Sequence, residues 1–163
     1  MTVRGLWPLR DLPAAVWLLA ALVMTVVHPF VPESRWLMVH LLLLGALTHA
    51  VVVWSEHFTW TLLRIGTTEG SRRSANRRFG LLASGVVLVV AGMPTGWWWA
   101  VLAGAIVVGA AVAWHGAVLV GAMRRALPTR FRPLVRYYVA SAACLPVGAG
   151  LGAWSARAPG GDW

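Results

Sequence analysis

Between Phe79 and Met123 the chain carries no Asp, Glu, Lys or Arg. As one unbroken helix, rising about 1.5 Å per residue, that stretch would run ~67 Å, more than twice a hydrocarbon core of ~30 Å. It must therefore fold back on itself. Pro94-Thr95-Gly96 is the only plausible turn within it. Proline fixes φ for a turn and glycine accepts positive φ. Two membrane spans are predicted here, 79–93 and 97–122.

The rest of the chain is built the same way. Apolar residues make up 59% of it and charged ones only 12%, where a soluble domain has about a quarter charged. The run that opens at Leu12 ends at Pro29 and Pro32, giving a first span over about 12–30. Its length exceeds the apolar region of a secretory signal, and no small-x-small cleavage site follows, so it is read as retained. A second run, 36–63, begins at Trp36 after the short connector Pro32-Glu33-Ser34-Arg35 and is closed by Arg64. A polar stretch from Gly66 to Arg78 precedes the third span. A basic connector broken by Pro128 and Pro133 precedes the fifth, 134–154. The expectation is an all-α integral membrane bundle of about five transmembrane helices. It forms one membrane domain over residues 1–163, or the N-terminal part of a longer bundle.

Arginine placement sets the expected orientation, because basic connectors stay in the cytoplasm. The N-terminus holds Arg4 and Arg10, the second connector Arg64, Arg72, Arg73, Arg77 and Arg78, and the fourth Arg124, Arg125, Arg130, Arg132 and Arg136. The first connector has Arg35, the third none, and the tail Arg157. The heavy connectors alternate as an N-in, C-out plasma-membrane protein requires. Aromatic residues agree: Trp36 and Trp97-Trp98-Trp99 fall at the outer headgroup level, Tyr137 and Tyr138 at the inner. The connector arginines are expected to hold the topology and contact anionic lipid, with Arg72, Arg73, Arg77, Arg78, Arg124, Arg125, Arg130 and Arg132 the main contributors. Small residues, Gly148 and Gly152 as G-x-x-x-G and Gly80, Gly85 and Gly92 in the third span, are expected to set helix packing.

The net charge of +9 invites nucleic acid as a partner. However, the arginines sit in short connectors, and no water-facing fold could carry a basic patch, so nucleic-acid binding is set aside. Cys144 is the only cysteine, which rules out an internal disulfide. No phosphate-binding loop, nucleophile elbow, HExxH or CxxC is present, and no catalytic activity of the chain's own is expected.

The five histidines are the candidates for chemistry. His28 and His40 fall near the outer ends of the first two spans, His49 nearer mid-membrane, and His57 and His115 near the inner boundary. Neutral imidazole is a ligand for haem iron or copper, and ionisable groups in lipid often mark a site. Equally, an imidazole one or two turns from the interface can reach headgroups or cap a neighbouring carbonyl. At 100° per residue His40 and His49 lie on opposite faces of their helix, so they cannot share a metal. Glu56 either takes part in proton transfer or pairs with Arg64 or another cytoplasmic arginine.

Three stretches carry a resemblance: H-L-L-L-L-G-A-L-T-H-A-V-V-V-W-S-E-H-F from His40 to Phe58, A-W-H-G from Ala113 to Gly116, and R-R-A-L-P-T-R-F-R-P-L-V-R-Y-Y-V-A with L-P-V-G-A-G-L-G between Arg124 and Gly152. They resemble the N-terminal membrane region of actinobacterial multicopper-oxidase-domain proteins, which are similar to copper nitrite reductases. That region is distantly similar to NnrS and haem-copper oxidase bundles. The resemblance implies a membrane partner of copper or nitrogen-oxide redox chemistry. His40, His57 and His115 are then the implied haem b or copper ligands, with His49 fitting the resemblance less well; His28, outside the resembling stretches, is a weaker candidate by residue type alone. The resembling proteins continue into further membrane helices and soluble copper domains. This sequence stops at Gly160-Gly161-Asp162-Trp163, with no cupredoxin strands and no Cys-His-Met ligand set, as a fragment, a truncated product or a separate subunit would.

The expected role is a membrane module of a copper or haem redox system, acting as anchor or electron-transfer part. Its expected partners are the lipid bilayer and a copper-oxidase or nitrite-reductase domain or further membrane helices. A cofactor-free structural or assembly protein is the alternative. A small transporter fits less well, with little buried polar content and no inverted repeat.

Overall fold

The computed structural model describes residues 7–155, and every regular element among them is a helix. Five helices are long and apolar enough to cross a membrane: Asp11–Phe30, Ser34–Leu62, Glu69–Gly92, Trp98–Arg125 and Arg132–Gly152. The basic start with Arg4 and the tail after Ser155 with Arg157 lie outside the described residues. The chain divides into two compact units between Val53 and Trp54, each described by itself.

In the first unit, α1 (Trp7–Val27) ends in a single 3₁₀ turn, His28–Phe30, where Pro29 cannot continue the ladder. Glu33 turns the chain with φ 55°. The second span then runs unbroken as α2 (Ser34–His40), a π-helical segment (Leu41–Leu47) and α3 (Thr48–Leu62). The π segment is the least expected element of the fold. Its i→i+5 bonds take an extra residue into the turn. The Thr48 hydroxyl donates to the Leu43 carbonyl at 2.8 Å, occupying an acceptor where the ladder is shifted. α1 packs on this segment. A Cβ on Gly45 would lie 2.9 Å from Trp17 Cβ, so glycine is what lets the tryptophan seat there.

The second unit takes in α3 from Trp54 onward, α4 (Glu69–Gly92), α5 (Trp98–Arg125) and α6 (Arg132–Ser155). α3 closes on Arg64 at φ 53°, with Ile65 N–H donating to Trp60 O and Arg64 N–H to Thr61 O. These are the paired bonds that finish a helix through a left-handed residue. α4 then starts at Glu69, well before Phe79, because Thr68 and Ser71 cap each other reciprocally and Glu69 pairs with Arg73 at 2.6 Å. Most of the polar stretch 66–78 is therefore a helical extension of the third span rather than a loop.

α4 ends at the Pro94-Thr95-Gly96 turn, with Gly96 at φ 65° and Trp97 N–H donating to Gly92 O. α5 packs along α4 on one side and α6 on the other. Among the buried residues, Ala75, Arg78, Leu82, Gly85, Val89 and Gly92 of α4 and Gly104, Val108, Ala111, His115, Leu119 and Ala122 of α5 recur at helical spacing. A Cβ added to Gly104 would stand 2.7 Å from Gly85 O, and one added to Gly85 would stand 2.8 Å from Val108 Cγ2. Close backbone approach brings this pair together. The expected G-x-x-x-G of α6 does not work this way: Gly148 and Gly152, like Gly80, have open space where a side chain would go. At the arginine-rich end Leu63, Ala122 and Val135 form a small apolar cluster with Trp60 and Ile65 against it.

Candidate functional site

Polar side chains buried among apolar helices single out two places, one in each unit. In the second unit α3 contributes Ser55, Glu56 and Thr59, α4 contributes Arg78 and α5 contributes His115, all at most 5% exposed. Ser55 and Thr59 are one turn apart, with Glu56 beside them, so the three lie along one side of α3. Arg78 donates to Glu56 Oε2 at 2.7 Å and to Ser74 Oγ at 2.8 Å. Trp60 Nε1 donates to Glu56 Oε1 at 3.3 Å, and the guanidinium carbon lies 5.7 Å from the centre of the Trp114 ring. His115 Nε2 and Ser55 Oγ share a hydrogen bond of 2.9 Å. Both charges are close enough to act on the His115 ring.

The pair is a compensated one. Each charged group has its counter-charge and a further hydrogen bond, which is the condition for tolerating ions out of water. Arg78 therefore departs from the role expected of it. Its side chain is 1% exposed and ties α4 to α3, so it does not reach headgroups, whereas Arg72, Arg73 and Arg77 are exposed. Arg124, Arg125 and Arg130 are exposed and Arg132 is half-buried. Glu56 finds its arginine in Arg78, from the connector's last position.

In the first unit His49 is 1% exposed. Its Nδ1–H donates to Gly45 O at 2.8 Å, since a carbonyl can only accept. The lone pair is thereby placed on Nε2, which is buried without a hydrogen-bond partner. Trp17 flanks the ring, with centroids 6.2 Å apart.

The remaining histidines are placed differently. His40 is half-buried, its Nδ1–H on Trp36 O at 2.8 Å and its ring stacked 3.6 Å from the Trp36 ring. His28 is exposed and bonded to Thr25 O at 2.9 Å. His57 is half-buried between Trp54 and Phe58 of its own helix. The π segment also alters the geometry expected for His40 and His49. One residue of register slip, about 100°, brings them from opposite faces to roughly 80° apart. They still cannot share a metal, because nine residues of helix separate them by about 13 Å along the axis.

Copper needs several donors meeting at one point. Among the described residues no group of three or more His, Cys, Asp or Glu side chains is placed to hold a metal ion. The donor set therefore does not fit a copper centre within them. A haem asks less: one buried imidazole with its Nδ1–H held by a carbonyl and its Nε2 free. His49 meets the tautomer part of that requirement, with its ring only 1% exposed and Trp17 beside it, and the resemblance ranks it below His40, His57 and His115.

Ser55 and Thr59 are the residues that sequence reasoning passed over, and Arg78 was expected only at the headgroups. Their signal was a hydroxyl pair one turn apart inside an apolar span, and an arginine directly abutting the long uncharged run. The chain matches no family model, no curated protein and no solved structure.

Proposed function

We propose that this chain is a multi-pass membrane protein, N-terminus cytoplasmic and C-terminus outside, that serves as the membrane-embedded module of a haem-linked redox system. The observation that carries the reading is the His49 imidazole, deeply buried, fixed at Nδ1 by Gly45 O and unpartnered at Nε2. Leaving such an atom bare in the bilayer is costly, and His49 Nε2 would be satisfied as the residue holding a haem iron. Haem would supply one-electron transfer. The chain's own contribution is to fix the ring's tautomer and hold it at depth behind Trp17. Copper, in this reading, belongs to a partner domain and not to this chain.

The test is the absorbance of protein purified after haem-replete expression. A Soret band present in the wild type and in His40→Ala and His57→Ala, and lost in His49→Ala, is the expected result. A colourless wild type would sink the haem reading. The orientation is tested separately, by tags in 66–78 and 124–136 that are both expected on the cytoplasmic side.

A second reading, a cofactor-free assembly module acting through its helix faces, is favoured by the compensated Glu56–Arg78 pair and the glycine contact of α4 with α5. Both are arrangements that lock helices together. Colourless protein that co-purifies with a stable membrane partner would favour it.

A further inference from the structure

The polar side chains of α3, α4 and α5 leave three of their buried atoms without a hydrogen-bond partner: His115 Nδ1, Thr59 Oγ1 and Arg78 Nε. Thr59 is 0%, Arg78 1% and His115 2% exposed. They belong to three different helices: His115 and Arg78 are bonded to Ser55 and Glu56 of α3, and Thr59 lies one turn further along that helix. Buried polar atoms are almost always paired, with protein or with ordered water. Three unpaired atoms, one of them the Nε of an arginine whose charge is already balanced by Glu56, point to occupants that can both donate and accept.

We propose that these side chains line a hydrated site inside the bundle, in which bound water completes the hydrogen bonding of His115, Thr59 and Arg78. Water suits the three atoms chemically. Arg78 Nε–H can only donate and needs an acceptor, and Thr59 Oγ1 both donates and accepts. His115 Nδ1 accepts when Nε2–H donates to Ser55, and donates when the serine hydroxyl donates to Nε2. Buried water, which makes two to four hydrogen bonds and both donates and accepts, meets each of these needs. An anion is disfavoured because Glu56 already neutralises Arg78, and an apolar ligand would leave every one of the three atoms bare. Thr59 lies about one turn, and Arg78 and His115 two to three turns, from the arginine-rich ends of α3, α4 and α5, so water entering there has a short path from the headgroups. This inference is independent of haem at His49, which lies in the other unit.

Solid-state NMR on the full chain in lipid bilayers tests it. With histidine ¹⁵N-labelled, magnetisation is passed from the water signal to the ring nitrogens, and the His115 signal is assigned by its loss in His115→Gln. Transfer from water to His115 Nδ1 is expected in the wild type and in Thr59→Ser, which keeps the hydroxyl. It is expected to be lost in Thr59→Val, which has the same shape without one. A His115 signal that receives no water magnetisation in the wild type would overturn the proposal. So would equal transfer in Thr59→Ser and Thr59→Val, which would show that Thr59 is not one of the water's partners.

Discussion

α1 and α4 make the instructive comparison. The crossing stretch of α1 is the more apolar of the two, yet only 6% of it is buried, against 44% for α4. In water the order would be reversed, since apolar surface drives burial. In lipid, leucine gains little by leaving the acyl chains for a protein neighbour. What is buried is what lipid serves badly or what lets backbones meet. α1 accordingly exposes Leu18, Leu19, Leu22 and Val26, each more than half accessible. α4 buries Arg78 in an ion pair and Gly85 against the backbone of Gly104.

Arg78 offers the largest test of that contrast. Arg78→Ala leaves Glu56 buried and unpaired, and a loss of about 3–5 kcal/mol of stability is expected in detergent unfolding. Replacing both partners together, Glu56→Leu with Arg78→Met, is expected to recover most of it. If the single change proved harmless, the pair would not be the clasp of the second unit.

Next in size is Gly104→Val. Its new side chain meets backbone rather than a flexible group, so the helices must part, at a cost of about 1–3 kcal/mol. The same change at Gly148, which faces open space, is expected to leave the thermal midpoint unmoved. Thr68→Ala removes the hydroxyl that caps α4 and is expected to cost about 1 kcal/mol, seen as fraying of the Glu69–Arg73 turn in amide exchange. Smallest of all, Leu19→Ala in α1 is expected to change stability by less than about 0.5 kcal/mol, the size of effect seen when a side chain has no packing partner to lose. A loss as large as that of Gly104→Val would mean that α1 is covered in the membrane by protein and not by lipid.

The turn at Pro94-Thr95-Gly96 was legible before any coordinates, because an uncharged run longer than the bilayer leaves one place to reverse and proline and glycine mark it. The start of α4 was not. Arginines at 72, 73, 77 and 78 mark the end of the apolar run but not of the helix, because polar residues extend a capped helix readily. The candidate site shows the same division. Five histidines stand out as residue types, but the relative placement of His40 and His49 depends on a π segment that apolar leucines do not announce. The pairing of Glu56 with Arg78 rather than Arg64 depended on which arginine the packing carried inward.

The sequence by itself determined how many stretches could cross a bilayer and where the chain reverses, because helix rise and the cost of charge in lipid are local, additive quantities. Only the tertiary structure decided which polar groups are shut inside and what they bond. That depends on helix rotation, on one extra residue in a turn, and on two glycines from different helices allowing their backbones to meet, none of which a single helix can specify for itself.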